Sequence, residues 1–324
     1  MEIGYALSSE EHAPNDLVRY AQMAEDAGFT FALISDHYHP WIGEQGQSPF
    51  VWSVIGGIAA TTRRLRLGTG VTCPIIRIHP AIIAQAAATA AAMMPGRFFL
   101  GVGAGEALNE HITGEHWPPA SMRQDMLEES INILRQLWSG DEINYWGEFY
   151  TVENARIFTL PEKPVQVYVA ASGKESAEMA GEIGDGLIVT QPDDKLVKEF
   201  EENGGQDKPK IGQAKVCWAE SEEKALDTVF KYWPILDLPG PLHSDLPTTD
   251  HFEAAAKMVK KEDLKKSIVL GPDPQKHIQK IQEYRDQGID QVYIHQVGPD
   301  QEGFFRFYQQ EVLPKVQGIR MGLA

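Results

Sequence analysis

The chain has 324 residues, of which 43% are apolar and 23% charged, the mix of an ordinary globular protein. Its 46 Asp and Glu outnumber 29 Lys and Arg, and the formal charge of −17 argues against a broad nucleic-acid surface, which needs cations to neutralise phosphates. Only two cysteines, Cys73 and Cys217, are present, which excludes a disulfide framework or a Cys-rich zinc site and favours a reduced cytosol. The longest apolar stretch, Ala81 to Met94, falls short of the roughly 20 residues that cross a bilayer. The opening MEIGYAL lacks a signal-type core. A soluble intracellular protein is expected, without membrane or nucleic-acid partners.

In chain order, a β-prone run at Ile3–Leu7 leads to an amphipathic helix at Asp16–Ala27, stopped by Gly28. Strands follow at Phe31–Ser35, Leu65–Val71 and Arg97–Val102, then a helix at Arg123–Trp138. Beyond these come a strand at Val165–Ala170, a helix at Lys174–Ile183, and strands at Gly186–Thr190 and Gly212–Cys217. A helix at Pro274–Gln287, stopped by Gly288, precedes the last strand at Gln291–His295. Eight strands alternating with helices predict a parallel sheet, and eight is the number that closes a (β/α)8 TIM barrel. A doubly wound open sheet is the rival that the count does not exclude. One domain over residues 1–324 is expected, with insertions at about 139–164 (a hairpin) and 236–266 (Pro-rich, then a helical pair around Phe252–Lys266). Long insertions of this kind tend to be functional lids.

In a parallel barrel the loops after the strands converge on one face and carry the chemistry. Those positions hold Glu10 and Glu11 after the first strand, and Asp36, His37 and Trp41 after the second. Gly70 to Cys73 end the third, GVGAGEALNE with Glu106 and Asn109 ends the fourth, and AASGKES ends the fifth. Thr190 follows the sixth and His295 the eighth; His295 reads as structural. Asp36 and His37 have no packing reason to follow an apolar strand. Glu106 has the simpler reading of a first-turn helix residue, and Trp41 that of core. The Gly101, Gly103 and Gly105 series is a weak dinucleotide signal, since it lies on the fourth strand; it suits a flat ring lying close to backbone. The Ala171-Ser172-Gly173 turn leading into a helix has the logic of a phosphate site. His37-Tyr38-His39 is an H-x-H pair, but Pro40 places it in a loop and no metal is expected.

Four segments, ISDHYHPW, TGVTCPIIRIHPAIIAQ, FFLGVGAGEALNE and AASGKESAEMAGEIGDGLIVT, resemble the deazaflavin-dependent branch of the luciferase-like oxidoreductases. The likeness is to the group containing coenzyme F420-dependent glucose-6-phosphate dehydrogenase and secondary-alcohol dehydrogenase. It runs in register from Gly4 to about Leu313. The resemblance implies a barrel, a homodimer, and F420 held at the C-terminal face. Family contacts to that cofactor carry over to Asp36, Gly105, Asn109 and Gly173, with Ala104, Ser172, Glu175 and Ser176 at the other matching positions. A non-proline cis peptide would fall at Gly70–Val71, and Cys73 stands where the sugar-phosphate enzymes have threonine. The catalytic group His37, Trp41, Glu106 and Glu10 carries over intact.

The chemistry also makes sense by itself. An imidazole suits the removal of a hydroxyl proton at neutral pH, a carboxyl can exchange a second proton, and an indole N–H can meet a developing oxyanion. Which of His37 and Glu106 is acid and which is base stays open at this level. Of the family's phosphate-holding set, Thr190 matches the threonine and Lys266 stands at the arginine. Asp193 and Leu242 replace two lysines, with Lys195 near enough to substitute. A small alcohol, sugar or sugar phosphate is the expected substrate, and glucose 6-phosphate is expected to be a poor one. An FMN-dependent monooxygenase of the same barrel is the alternative, and a deazaflavin carrier without turnover is the non-enzymatic one.

Overall fold

A computed structural model describes residues 1–317; the last seven positions of the expected 1–324 unit lie outside the described residues. The strands are β1 (Glu2–Leu7), β2 (Phe31–Ile34), β3 (Arg66–Thr69), β4 (Phe98–Val102), β5 (Ile143–Trp146), β6 (Thr151–Ala155), β7 (Gln166–Ala170), β8 (Gly186–Val189), β9 (Lys210–Cys217), β10 (Val269–Leu270) and β11 (Gln291–Gln296). Helices α1 (Pro14–Ala27), α2 (Val51–Thr61), α3 (Pro80–Met93), α4 (Ala107–Glu110), α5 (Ala120–Leu137) and α6 (Lys174–Ile183) occupy the first part. Helices α7 (Asp194–Phe200), α8 (Glu222–Tyr232), α9 (Gly240–Asp245), α10 (Thr249–Ala256), α11 (Pro274–Asp286), α12 (Gln301–Phe307) and α13 (Leu313–Gln317) occupy the second.

Eight strands pair in parallel in the order β9-β11-β1-β2-β3-β4-β7-β8, and β8 pairs back to β9, so the sheet closes. The open-sheet alternative is thereby excluded. The strands read as nearly unbroken apolar runs because both faces are covered. One face meets the helices; the other fills the barrel with Ala6, Phe31, Leu33, Phe99, Tyr168, Ile188, Ile211 and Tyr293. This plug makes the barrel solid below its mouth.

All eight predicted barrel strands form, with ends shifted by one or two residues. The third stops at Thr69 instead of Val71, and the Gly70–Val71 peptide beyond it is cis. The two-residue β10, unforeseen from sequence, adds to the end of β9. Gly28 ends α1 with φ 100°, the left-handed geometry that stops a helix. The first insertion is the β5–β6 hairpin, docked on α5 where Glu129 accepts hydrogen bonds from the amides of Glu148, Phe149 and Tyr150. The second insertion brings α9 and α10 over the mouth, where His243 and Phe252 pack edge-on against Trp41 at 5.5 and 5.0 Å.

Candidate active site

The turn after β1 delivers Glu10, the turn after β2 delivers His37, and the turn after β4 delivers Glu106 and Asn109. These four meet directly. His37 Nε2 lies 3.3 Å from Glu10 Oε1 and 3.4 Å from Glu106 Oε2. The Glu10 side chain is 4% exposed and that of Glu106 32%, so only Glu106 is reached from outside. Glu10 is fixed from behind, its Oε2 accepting from the hydroxyls of Ser35 at 2.6 Å and Ser8 at 3.1 Å.

Asn109 organises the other side of the imidazole. Its Oδ1 accepts from the amides of Tyr38 and His39, which fixes the amide plane and turns Nδ2 toward Glu106 Oε2 at 3.0 Å and His37 Nδ1 at 3.1 Å. The His39 carbonyl oxygen is 3.2 Å from the same Nδ1. Nδ1 therefore has a donor beside it when bare and an acceptor beside it when protonated, and the ring is held in either state.

The three titratable groups are pushed apart in the manner of acid–base sites. Burial opposes ionisation of Glu10, but His37 and the Ser35 hydroxyl outweigh it and hold the carboxyl below its ordinary value. Burial likewise opposes the imidazolium, yet Glu10 and Glu106 together raise His37 above its ordinary value. Burial dominates at Glu106 and pushes that carboxyl up. Trp41 lies against His37 with ring centres 5.0 Å apart, and its indole N–H makes no hydrogen bond among the described residues.

Behind this group is a buried charged cluster. Arg77 donates to Asp36 Oδ1 at 2.8 Å and contacts Glu110 at 3.4 Å, and the Thr72 hydroxyl donates to Asp36 Oδ2 at 2.8 Å. Both oxygens of Asp36 are thus occupied, and this predicted cofactor contact serves the mouth by fixing the β2 and β3 turns. Thr72 and Glu110 lay within the strand-end segments and Ser35 at the end of the second predicted strand, all without an assigned role, and Arg77 was missed. Arg77 lies eight residues past the end of β3, too far along for that rule to find.

The floor is made by Gly70, Val71, Ala104 and Gly105, all partly exposed. At Gly105, with φ +74°, a Cβ would lie 2.4 Å from Cys73 Sγ, so a side chain is excluded there. Gly101 has a different reason from the one expected, since a Cβ there would meet the Thr69 carbonyl oxygen at 2.0 Å; the strands' close approach demands it, not a ligand. The Cys73 thiol is buried and held far above its ordinary value by burial, so it is a packing group. Across the mouth, Gly173 N-caps α6 with Glu175 in its first turn. The amides of Ser172 and Gly173, expected to be free, both donate to Ser176 Oγ at 3.2 Å. The amides of the first turn of α6 are the donors that a helix start leaves without intrahelical partners.

Thr190 stands exposed just above β8, where predicted. Lys195 lines a cleft with Pro192, Asp193 and Asp194 of the segment after β8 and with Glu283, Asp286 and Gln287 of α11 and its C-cap. Lys266 pairs with Asp263 and lines a second outer cleft with Lys276 and Glu283. Asp193 N-caps α7, accepting from the amides of Lys195 and Leu196, a structural use of the residue. His295 pairs with Glu11 at 3.1 Å, a buried contact below the mouth. His39 turns away from His37, its Nδ1 lying 2.9 Å from the Leu108 carbonyl oxygen.

A closed parallel barrel with imidazole and carboxyls at its mouth defines a barrel oxidoreductase, and residues 1–291 match the family described as luciferase-like monooxygenase, to which this chain belongs. Among its relatives is the F420-dependent glucose-6-phosphate dehydrogenase of Amycolatopsis mediterranei (strain U-32), 35% identical over 98% of this chain and 99% of the relative. The enzyme of that name from Mycobacterium avium (strain 104) is 34% identical with the same coverage. Among solved structures, an F420-dependent secondary alcohol dehydrogenase in complex with an F420-acetone adduct superposes with TM-score 0.89 at 27% identity, covering 96% of this chain and 98% of that one.

Proposed function

We propose that the protein is a coenzyme F420-dependent dehydrogenase that moves a hydride between the C–OH carbon of a small alcohol and the deazaflavin. One observation carries this reading: His37 sits between two carboxylates whose proton affinities differ, beside a glycine-lined floor open to solvent. The floor fits a flat ring, since Gly105 has no room for a Cβ and Val71 and Ala104 offer only small apolar surfaces. The start of α6 suits the anionic tail. When bound, F420 supplies the two-electron hydride acceptor. The relatives and the solved alcohol dehydrogenase support F420, and the FMN monooxygenase alternative is not favoured.

This chain's residues handle the protons. With Nδ1–H directed to the His39 carbonyl, Nε2 takes the proton of the substrate hydroxyl. The resulting imidazolium is stabilised by Glu10, which is ionised and anchored by Ser35 and Ser8. Glu106, open to the mouth and raised toward its protonated form, exchanges the second proton. The Trp41 indole, packed against His37, supplies an N–H that stabilises the alkoxide as it forms.

The substrate reading follows from charge. Thr190 is exposed just past β8, but Asp193, which caps α7, and Leu242 stand where the sugar-phosphate enzymes have lysines, so the sugar-phosphate set is incomplete. Glucose 6-phosphate is then a poor substrate. The chain works as one unit over residues 1–324, as a cytoplasmic homodimer; its two buried, unpaired thiols suit a reducing compartment. Light scattering checks the dimer. Titration with F420 and with FMN, then turnover of sugar phosphates and secondary alcohols followed by loss of oxidised F420, tests the activity. Tighter binding of FMN, or efficient oxidation of glucose 6-phosphate, contradicts this reading in its cofactor or its substrate.

A further inference from the structure

Strand β9 carries a cation into the barrel. Ala214 and Val216 face the helix layer, whereas Ile211 belongs to the interior plug. Strand alternation therefore turns Ile211, Gln213 and Lys215 inward. Lys215 is level with His295 of β11, the next inward position above Tyr293 of the plug, which places its ammonium at the base of the mouth. Its charge acts on Glu10 from one side and on His243 of the overlying insertion from the other. Among the described residues it makes no hydrogen bond and no ion pair. Burial pushes its proton affinity down to about 8, with Glu10 opposing the shift, so at neutral pH it is still an ammonium.

Lys215 is partly exposed at the base of the mouth, and with no carboxylate in contact among the described residues its charge is open to a ligand. Every other charged group near the mouth has been given a partner. Glu10 has His37 and two serines, Glu11 has His295, and Asp36 and Glu110 share Arg77. The start of α6, suited to the cofactor's anionic tail, follows β7, whereas β9 lies between β11 and β8, two strands from β1 on one side and two from β7 on the other. The Lys215 ammonium acts on Glu10, whose carboxyl is 3.3 Å from His37 Nε2, so a ligand held by Lys215 comes within reach of His37.

We propose that Lys215 is the specificity-determining cation of the substrate site, and that it binds an oxyanion, a phosphate ester or a carboxylate, carried by the alcohol oxidised at His37. This rests on the dehydrogenase reading above. It identifies the preferred substrate as an anionic alcohol whose charge is met from β9.

The test uses the F420-loaded full chain with Lys215→Met and Lys215→Arg. Each is assayed on hydroxy acids and sugar phosphates beside their neutral counterparts, with F420 affinity and inorganic phosphate and acetate binding measured separately. Lys215→Met should raise KM for the anionic partner about 10- to 150-fold, the worth of a hydrogen bond to a charged group, while the neutral partner moves less than about threefold. Lys215→Arg should restore part of the loss. The phosphate-ester and carboxylate arms show which oxyanion is preferred. Equal effects on charged and neutral substrates, or loss of F420 affinity in Lys215→Met, overturn the assignment. If either variant fails to fold, the other decides. Should the wild type bind F420 yet oxidise nothing, loss of phosphate or acetate binding in Lys215→Met upholds the subsite while the dehydrogenase reading falls; unchanged binding overturns the subsite. Failure to bind F420 at all counts against the cofactor assignment alone.

Discussion

Replacing Glu10 by Gln isolates the electrostatic half of the proposed base. The amide keeps the volume and an acceptor for the Ser35 and Ser8 hydroxyls but removes the charge 3.3 Å from His37 Nε2. Two unit charges at that distance interact by about 5 kcal/mol at an effective dielectric of 20, a ceiling for this partly relaxed site. Glu106 remains at 3.4 Å and retains part of the stabilisation. Loss of one such carboxylate lowers an imidazole pKa by about 1–3 units, or ~1.4–4 kcal/mol. Because His37 must be neutral to accept the substrate proton, the acidic limb of kcat/KM should move to lower pH by that amount. The plateau rate should fall about 10- to 10³-fold, since the imidazolium formed in the transition state has lost its partner. Initial-rate pH profiles with F420, beside an NMR titration of the His37 ring, measure both. An acidic limb and ring titration that do not move in Glu10→Gln would refute the pairing as the source of His37 basicity.

Three further outcomes follow from the same geometry. Arg77→Met leaves the buried carboxylates of Asp36 and Glu110 without a counter-ion and should cost about 3–5 kcal/mol by urea unfolding; a loss under about 1 kcal/mol would contradict the pairing. Gly105→Ala puts a methyl 2.4 Å from Cys73 Sγ at φ +74° and should destabilise by about 1–3 kcal/mol, with partial recovery in Gly105→Ala/Cys73→Ala. His277 is fully buried, held by Tyr308 and the Gly271 carbonyl, with burial lowering its pKa from 6.5 to about 4. The native state thus binds fewer protons than the unfolded chain, so this residue costs nothing above pH 6.5 and progressively more as pH falls toward 4. Between those limits the wild type should lose up to roughly 3 kcal/mol more than His277→Gln, read from denaturation midpoints; identical pH slopes would be the contrary result.

The barrel strands were legible because burial on both faces writes them as apolar runs, and their C-terminal ends named Glu10, His37, Glu106 and Asn109 without knowledge of the fold. Asp193 reads in sequence only as a replaced lysine; that it caps α7 by accepting from the amides of Lys195 and Leu196 is visible only in the structure. Lys215 left a signal that was passed over, an ammonium two positions beyond the inward-facing Gln213 in an otherwise buried strand. Arg77 was hidden differently, since pairing with two acids after distant strands is a property of closure, and no local pattern encodes it.

The central claim is that the carbinol hydrogen leaves as a hydride to F420 while His37 takes the hydroxyl proton. An alcohol substrate deuterated at the carbinol carbon, oxidised in ordinary water with F420, tests it most directly by mass spectrometry of the reduced coenzyme. The account predicts one deuterium recovered per turnover. Deuterium lost to solvent, or product formed only with FMN and oxygen, would contradict it.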